Sequence, residues 1–157
     1  ILSDDLSEDE INQFIENTKK VINERLLKWQ YNDKRKIYKL ELKVETPVPE
    51  YVVRIICEYN PRNGKTKFAL LLNDRRIRCL EYGPTVRHKN PNGTKIRGLH
   101  KHTWTDLYED RVAYVPGNFD TTSLEKAFRC FVDECNIEFK GKLLPIRIPT
   151  RQEVLDV

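Results

Sequence analysis

The sequence lacks several features that would assign it at once to a familiar class of protein. None of its apolar runs approaches the roughly 18 consecutive residues that a transmembrane helix needs. Its first residues, Ile1 to Asp5, have neither the basic nor the apolar region of a secretory signal. We therefore expect no signal peptide there, no membrane partner and a cytoplasmic location. Because no internal repeat, low-complexity stretch or linker is present, residues 1–157 are predicted to form a single globular domain.

The cysteines lack any pattern that would indicate a zinc ribbon, a redox motif or a disulfide framework. There are four of them, and no pair has C-x-x-C spacing. Cys57 and Cys79 fall in strand-like segments, whereas Cys130 and Cys135 fall on a predicted helix. We expect four reduced thiols, most of them buried packing groups, in a reducing compartment.

A helix is predicted near the start of the chain. Ser7-Glu8-Asp9-Glu10 has the form of a capping box, with acids at the positive end of the helix dipole. Apolar residues then recur at helical spacing, and the polar run from Gln30 to Lys36 is expected to end the helix. The residues of this predicted stripe are Ile11, Phe14, Ile15, Thr18, Ile22, Leu26 and Trp29.

Strand patterns follow the helix, and short turns such as Asn60-Pro61-Arg62-Asn63-Gly64 separate them. Sequential strands with short connections predict an antiparallel meander. The turn chemistry recurs in Asn90-Pro91-Asn92-Gly93, so Thr85–Lys89 and Thr94–Arg97 are expected to form a short ribbon. The remaining predicted strands are Tyr38–Val44, Tyr51–Tyr59, Thr66–Leu72, Arg76–Tyr82, Leu99–Thr105 and Arg111–Pro116.

A second amphipathic helix is predicted after Thr122-Ser123-Leu124-Glu125, which is another capping box. The tail from Lys140 contains two prolines and no periodicity, and is expected to be a loop. The predicted fold class is α+β. It comprises an N-terminal helix, an antiparallel meander sheet of about five to seven strands, and one C-terminal amphipathic helix packed on the sheet.

Charge is unevenly distributed along the chain. The segment from Arg75 to Thr105 carries eight bases and one acid, Glu81, in a chain of net charge +4. This stretch predicts a surface for an anionic partner, either nucleic acid, with RNA favoured, or an acidic protein. Its alternative role is a solvated strand edge that Lys and Arg protect from aggregation. The predicted nucleic-acid-binding residues are Arg75, Arg76, Arg78, Arg87, Lys89, Lys95, Arg97, Lys101 and Trp104.

All three histidines of the chain fall within this basic segment. In an extended strand His100 and His102 point to the same face, and Trp104 continues it. Imidazoles titrate near neutral pH, so two of them among cations suit metal-free RNA cleavage. One would deprotonate the ribose 2′-OH, and the other would protonate the leaving oxygen. The predicted catalytic residues are His100, His102, His88 and Tyr108.

The same residues have other uses. The H-x-H motif with a third histidine is compatible with zinc, as is a mixed site with Asp106, Glu109 and Asp110. The motif is short, however, and its basic neighbours oppose a dication, so we predict no metal ion and no cofactor. The histidines are equally consistent with packing or hydrogen bonding beside Trp104. Trp104 itself would either stack on an unpaired base or anchor the segment to the core.

Four motifs in the second half of the chain form a recognisable series. They are H-x-N-P-[DN]-G-x-x-I at residues 88–96, H-x-H at residues 100–102, Ala113-Tyr114, and a helix ending in Cys135-Asn136. With this series the chain resembles a family of small uncharacterised bacterial and phage proteins. Members of that family tend to carry a tyrosine where this chain has Trp104. The resemblance implies a prokaryotic or mobile-element origin, and it implies no particular activity.

These features lead to three functional hypotheses. The first is a nucleic-acid-interacting protein that acts as a metal-independent ribonuclease of toxin or defence type through His100 and His102. The alternative is a non-enzymatic protein-interaction module of a mobile element or phage, which binds an acidic partner through the same face. The third is a metal-dependent hydrolase.

Overall fold

The structure is a computed structural model that describes residues 5–147, and within them it contains two helices and thirteen strands. The helices are α1 (Glu8–Asn17) and α2 (Leu124–Glu134). The strands are β1 (Lys20–Ile22), β2 (Leu26–Leu27), β3 (Gln30–Asn32), β4 (Ile37–Val44), β5 (Val53–Tyr59), β6 (Thr66–Leu72), β7 (Arg75–Tyr82), β8 (Arg87–Lys89), β9 (Lys95–Arg97), β10 (His100–Thr105), β11 (Glu109–Tyr114), β12 (Ile137–Phe139) and β13 (Lys142–Leu143). The fold is α+β, as the sequence predicts.

Seven of the strands form the main sheet, in the order β11-β10-β7-β6-β5-β4-β3, and every neighbouring pair is antiparallel. The middle of this sheet is the predicted meander, in which β4 to β7 follow one another in the chain and in space. Strands β8 and β9 pair with each other outside the main sheet and form the predicted ribbon. Within residues 5–147 the fold therefore has one large sheet and three two-stranded sheets, of which the other two are β1 with β12 and β2 with β13.

One face of the main sheet packs against both helices and forms the hydrophobic core. Phe68 of β6 lies at its centre, with ring centroids 6.0 Å from Phe128 and 5.9 Å from Phe131 of α2. Helix α1 adds Ile11 and Phe14 to the same core. The predicted serine cap of α1 is confirmed, since the side chain of Ser7 accepts from the Glu10 N–H. The cap of α2 lies one residue later than the predicted box of Thr122 and Glu125, because Ser123 is the N-cap and its side chain accepts from the Lys126 N–H.

The prediction that the first helix continues to Trp29 is wrong. Helix α1 ends at Asn17, Thr18 is extended (φ −82°, ψ 125°), and the chain then forms β1 and β2. Lys20 is 1% exposed, and its ammonium donates to the carbonyls of Phe14, Ile15 and Thr18 at 2.7–2.9 Å. The last carbonyls of a helix have no hydrogen-bond partner within the helix, and the Lys20 ammonium supplies one at the C-terminal end of α1.

Several short strands also occur where the sequence predicts helix or loop. Strand β1 pairs in parallel with β12, and β2 pairs in parallel with β13. Strand β3, within the polar run that is expected only to end the first helix, joins the main sheet beside β4. The prediction of a loop from Lys140 is therefore wrong at β13, and residues 148–157 lie outside the described part of the chain. Each of these strands has two or three residues. Strands β1 and β2 have partners more than 100 residues away, whereas β3 pairs with β4, which follows it in the chain.

Neither α1 nor α2 is both long enough and apolar enough to cross a membrane, and these are the helices that residues 5–147 contain.

Candidate functional site

The face of the main sheet that points away from the helices carries a row of buried side chains around His102. Ala69, Cys79, His102 and Ala113 lie directly opposite one another on four neighbouring strands. Residues that are directly opposite in an antiparallel pair project from the same side of the sheet. Because alanines occupy two of these positions, the row leaves space for an imidazole. Next to it lies a second, charged row in which His100 pairs with Glu81.

The β8–β9 ribbon covers this face. His88 and Ile96 pair across the ribbon and are half-buried, so the ribbon turns this side toward the sheet. At its turn, the side chain of Asn90 donates to the Ala113 carbonyl and accepts from the Ala113 N–H, both at 2.8 Å. At its other end Gly98 has a φ of +78°, a conformation that few residues other than glycine adopt. The two Asn90 bonds therefore hold the turn of the ribbon against β11.

Three imidazoles meet between the ribbon and the sheet. The ring centroid of His88 lies 5.3 Å from that of His100 and 4.6 Å from that of His102, and the His100 and His102 centroids are 4.9 Å apart. One ring nitrogen of each residue lies within 4.8 Å of the others. His100 is 1% exposed and His102 is 4% exposed, whereas His88 is half-buried. As the alternation predicts, His100 and His102 share a face.

Each ring is oriented by a hydrogen bond to a carbonyl oxygen. The Nδ1 atoms of His100 and His102 lie 2.9 Å from the carbonyl oxygens of Gly98 and Asp110, respectively. The Nε2 atom of His88 lies 3.0 Å from both the Arg111 carbonyl oxygen and Oδ1 of Asn90. The Nε2 atoms of His100 and His102 are 3.1 Å apart. The partners that orient the cluster come from three places in the chain, which are Asn90, Gly98 and the adjacent Asp110 and Arg111.

One arginine and two carboxylates lie beside the cluster. Glu81 Oε2 lies 3.9 Å from His100 Nε2, and Glu81 Oε1 lies 3.8 Å from the guanidinium of Arg76. Arg76 also binds Asp110, with Nε 2.6 Å from Oδ2. Burial lowers the pKa of His102 to about 4, although its bond to the Asp110 backbone opposes this, and the Arg76 charge lowers it further. At neutral pH the His102 imidazole is therefore uncharged.

Two of the predicted binding cations lie on the opposite face of the sheet. Lys101 and Arg78 both form ion pairs with Glu134 of α2. Lys101 is 7% exposed and lies 5.1 Å from the ring centroid of Tyr114. Because an antiparallel strand alternates its faces, the residue between two histidines must face away from them. The prediction that Lys101 belongs to an exposed basic surface is therefore wrong.

Trp104 is also on the helix side. It is 6% exposed, belongs to the main core, and its indole N–H donates to the Leu6 carbonyl at 3.1 Å. The register between Thr103 and Thr105 is irregular, and this interrupts the alternation that would have placed Trp104 beside the histidines. The predicted continuation of the histidine face to Trp104 is wrong, and the alternative role as an anchor is confirmed.

The other predicted site residues fall in three places. Arg76 lies beside the histidine cluster, and Arg75 is exposed at the start of β7. Tyr108 lies in the turn between β10 and β11, with its ring centroid 5.8 Å from the Arg111 guanidinium carbon. The remaining predicted cations share the outer surface of the ribbon and are all exposed; they are Arg87, Lys89, Lys95 and Arg97.

Sequence reasoning missed several residues that form the site. Glu81 was noted only as the one acid of the basic segment, and Cys79 only as a strand thiol. Asn90 was interpreted as a turn residue, although its side chain also contacts His88 and Ala113. The position of Asn90 two residues after a histidine within a recurring motif is the signal that could have marked it. The sequence suggests Asp110 as a carboxylate beside the histidines, whereas its main-chain carbonyl is the group that contacts His102.

The fold and the site define a class of α+β proteins in which a two-stranded basic ribbon closes a three-histidine cluster on the outer face of an antiparallel sheet. The chain belongs to DUF6978, which is described as a family of unknown function and whose model matches residues 6–137. The resemblance to an uncharacterised family is confirmed to this extent. No curated protein and no solved structure matches the chain.

Proposed function

We propose that this protein binds nucleic acid through the outer surface of the β8–β9 ribbon. The observation that carries the proposal is a set of four exposed cations on one side of that ribbon. Arg87 lies directly opposite Arg97, and Lys89 lies directly opposite Lys95. Like charges directly opposite each other destabilise an antiparallel pair. The ribbon therefore carries two unfavourable cross-strand pairs that an anionic partner would relieve.

The protein itself supplies no such partner among the described residues. None of these four side chains forms an ion pair or hydrogen bond with any part of the chain between residues 5 and 147. No acidic residue occurs in the sequence from Gly83 to Thr105. Backbone phosphates, repeated at regular intervals, are the anions that such a row of cations fits. This supports a contact that is electrostatic and largely independent of base sequence.

The shape of the ribbon favours a duplex over an unpaired strand. A two-stranded ribbon fits the major groove of B-form DNA, whereas the major groove of A-form RNA is too narrow for side-chain readout. The segment from Thr85 to Gly98 contains no Phe, Tyr or Trp on which an unpaired base could stack, and its one imidazole, His88, faces the histidine cluster. The sequence-based preference for RNA came from acid–base chemistry at His100 and His102. Burial of both rings reduces access for a 2′-OH, and RNA cleavage by them stays a prediction.

The test is fluorescence anisotropy with labelled duplex DNA, duplex RNA and single-stranded RNA of equal length, over a range of salt concentrations. Four phosphate contacts predict a plot of log K against log salt with a slope of about −3 to −4 for duplex DNA. A variant in which Arg87, Lys89, Lys95 and Arg97 are all changed to Gln should lose most of this slope. The matched control changes four exposed cations elsewhere, Lys19, Arg25, Lys28 and Lys43, to Gln.

The control variant carries the same change in net charge, and it should retain most of the wild-type affinity. Equal loss in both variants would mean that net charge alone attracts the nucleic acid, and the ribbon would not be the binding surface. A salt-independent affinity, or no binding to any of the three nucleic acids, would remove the proposal. In that case an acidic protein would be the partner to seek for the same surface.

A further inference from the structure

The inner surface of the ribbon presents a separate chemical problem, which concerns the protons of the three histidines. A neutral imidazole has one N–H and one unprotonated nitrogen. The carbonyl oxygens of Gly98 and Asp110 can only accept, so Nδ1 of His100 and Nδ1 of His102 must be the protonated atoms. Their Nε2 atoms are then unprotonated in the neutral rings, and these are the two atoms that lie 3.1 Å apart.

In the third ring, His88, the protonated nitrogen is Nε2 and not Nδ1. Asn90 uses its amide nitrogen to donate to the Ala113 carbonyl, so its Oδ1 faces His88 as an acceptor. Because the Arg111 carbonyl oxygen is also an acceptor, Nε2 of His88 is the protonated atom and Nδ1 is the free one. All three rings therefore donate outward, which leaves one lone pair on each. This is the arrangement in which histidines hold a metal ion, with the other nitrogen bonded to a carbonyl.

Two nitrogen lone pairs that face each other at 3.1 Å repel unless a positive charge lies between them. The separation itself matches a metal site. At Zn–N distances of about 2.0–2.1 Å, two tetrahedral ligand nitrogens are about 3.3 Å apart. The spread of the three ligand atoms, all within 4.8 Å of one another, lies within reach of one shared ion after a small adjustment of the half-buried His88 ring.

The charges around the cluster also suit a dication. The sequence analysis argues that basic neighbours of the histidines would repel a dication. Two of these neighbours, Lys101 and Arg78, face α2 instead and bind Glu134. Arg76 is the cation that remains beside the cluster, and two carboxylates, Glu81 and Asp110, accompany it. The nearer of these is Glu81, whose Oε2 lies 3.9 Å from His100 Nε2. Arg76, Glu81 and Asp110 together carry one net negative charge, and the Glu81 carboxylate is available as a fourth ligand.

We propose that His88, His100 and His102 bind one divalent transition-metal ion of the zinc class, with Glu81 as the nearest fourth ligand. His88 belongs to the ribbon, whereas the other two ligands belong to β10 of the main sheet. The ion therefore ties the ribbon to the sheet. This site is independent of nucleic-acid binding, because its ligands lie on the inner surface of the ribbon and the four cations lie on the outer surface.

The first experiment is titration of chelator-treated protein with Co²⁺ as a spectroscopic probe, followed by displacement with Zn²⁺. We expect one ion per chain and the visible absorption of four-coordinate Co²⁺ with nitrogen and oxygen ligands. His102→Ala should weaken Zn²⁺ binding by more than the about 10–100-fold that loss of an outer hydrogen-bond partner costs. Cys130→Ser is the matched control, because this half-buried thiol is not a proposed ligand and its loss should leave binding unchanged.

The second experiment uses wild-type protein and does not depend on the folding of any variant. These three histidines are the only ones in the chain, so long-range ¹H–¹⁵N spectra report on the cluster alone. Zn²⁺ should shift Nε2 of His100 and His102 and Nδ1 of His88, and it should slow amide exchange in β8 and β9. Absence of one-to-one binding, thiolate absorption with Co²⁺, or unchanged imidazole signals at one equivalent of Zn²⁺ would each overturn the proposal.

Discussion

The two faces of the main sheet are closed in different ways. On the helix face, aromatic and aliphatic side chains from α1 and α2 fill a continuous core around Phe68. On the histidine face, a small ribbon covers a row that contains alanine, cysteine and histidine, and hydrogen bonds fix its position. Burial of apolar area stabilises the first face without directional requirements. The second depends on a few directional contacts, and it is therefore the face suited to a specific ligand.

The largest predicted effect is a loss of packing on the helix face. Phe131 is fully buried against Phe68, so Phe131→Ala should lower the free energy of unfolding by about 3–5 kcal/mol. Urea unfolding followed by circular dichroism measures this change. Leu107→Ala is the control, since Leu107 is 74% exposed and its change should stay within about 0.5 kcal/mol. Similar losses in both variants would mean that the apolar core is not where the stability resides.

A smaller effect is expected on the histidine face. Asn90→Ala removes both hydrogen bonds to Ala113 and leaves a buried N–H and carbonyl without partners. We expect a loss of about 1–3 kcal/mol and faster amide exchange in the ribbon. Asn92→Ala, two positions along the same turn, removes an exposed bond to the Thr94 N–H and should cost much less. If the two variants behave alike, the ribbon is not held by Asn90.

A buried thiol on the helix face should also make stability depend on pH in the alkaline range. Burial raises the pKa of the Cys57 thiol well above its ordinary value. Between about pH 9 and the raised pKa, the unfolded thiol loses its proton while the folded thiol keeps it. Stability from this group is therefore complete below about pH 9 and is lost as pH rises, by about 1.4 kcal/mol per pH unit.

A comparison of wild type with Cys57→Ala isolates that contribution, because other alkaline titrations occur in both proteins. The advantage of wild type over the variant in urea unfolding should shrink steadily as the pH rises above about 9. A difference that does not change with pH would show that Cys57 is not held in its protonated form by burial.

The smallest predicted effect concerns the outer surface of the ribbon and has the opposite sign. Arg97→Gln removes a like-charge pair with Arg87. We expect a gain in stability of about 0.2–0.5 kcal/mol at low ionic strength, which should disappear at high salt. Thermal unfolding at two salt concentrations measures it. A loss of stability would mean that Arg97 has a structural role, and the case for an anionic ligand on this surface would be weakened.

The helix face could be predicted well from the sequence, because periodicity and capping are local signals. Ser7 and Ser123 mark the starts of both helices, and alternation marks the meander. The short parallel strands β1 and β2 could not be predicted, since their partners lie more than 100 residues away. The apolar stripe also continues past the true end of α1. No glycine or proline marks that end, because the Lys20 ammonium bonds the last carbonyls of the helix.

The histidine face could be predicted only in part. Alternation places His100 and His102 together, and the turn motif predicts the ribbon that brings His88 to them. Alternation fails at Trp104 because the register between Thr103 and Thr105 is irregular, and no sequence period reveals such a position. The orientation of each ring depends on carbonyls of Gly98, Asp110 and Arg111. Every residue has a main-chain carbonyl, so the residue types do not show which carbonyls will contact the rings. The orientation of the rings can therefore be seen only in the structure.

The two hydrogen bonds between Asn90 and Ala113 have a further consequence for the protein's interactions with copies of itself. Strand β11 ends the main sheet, so groups such as the Ala113 N–H and carbonyl would otherwise be free to recruit an extended segment from another chain. A side-chain amide fills that position in place of a further strand. Displacement of the ribbon would therefore do more than open a cavity, because it would also provide a template for strand addition and uncontrolled self-assembly.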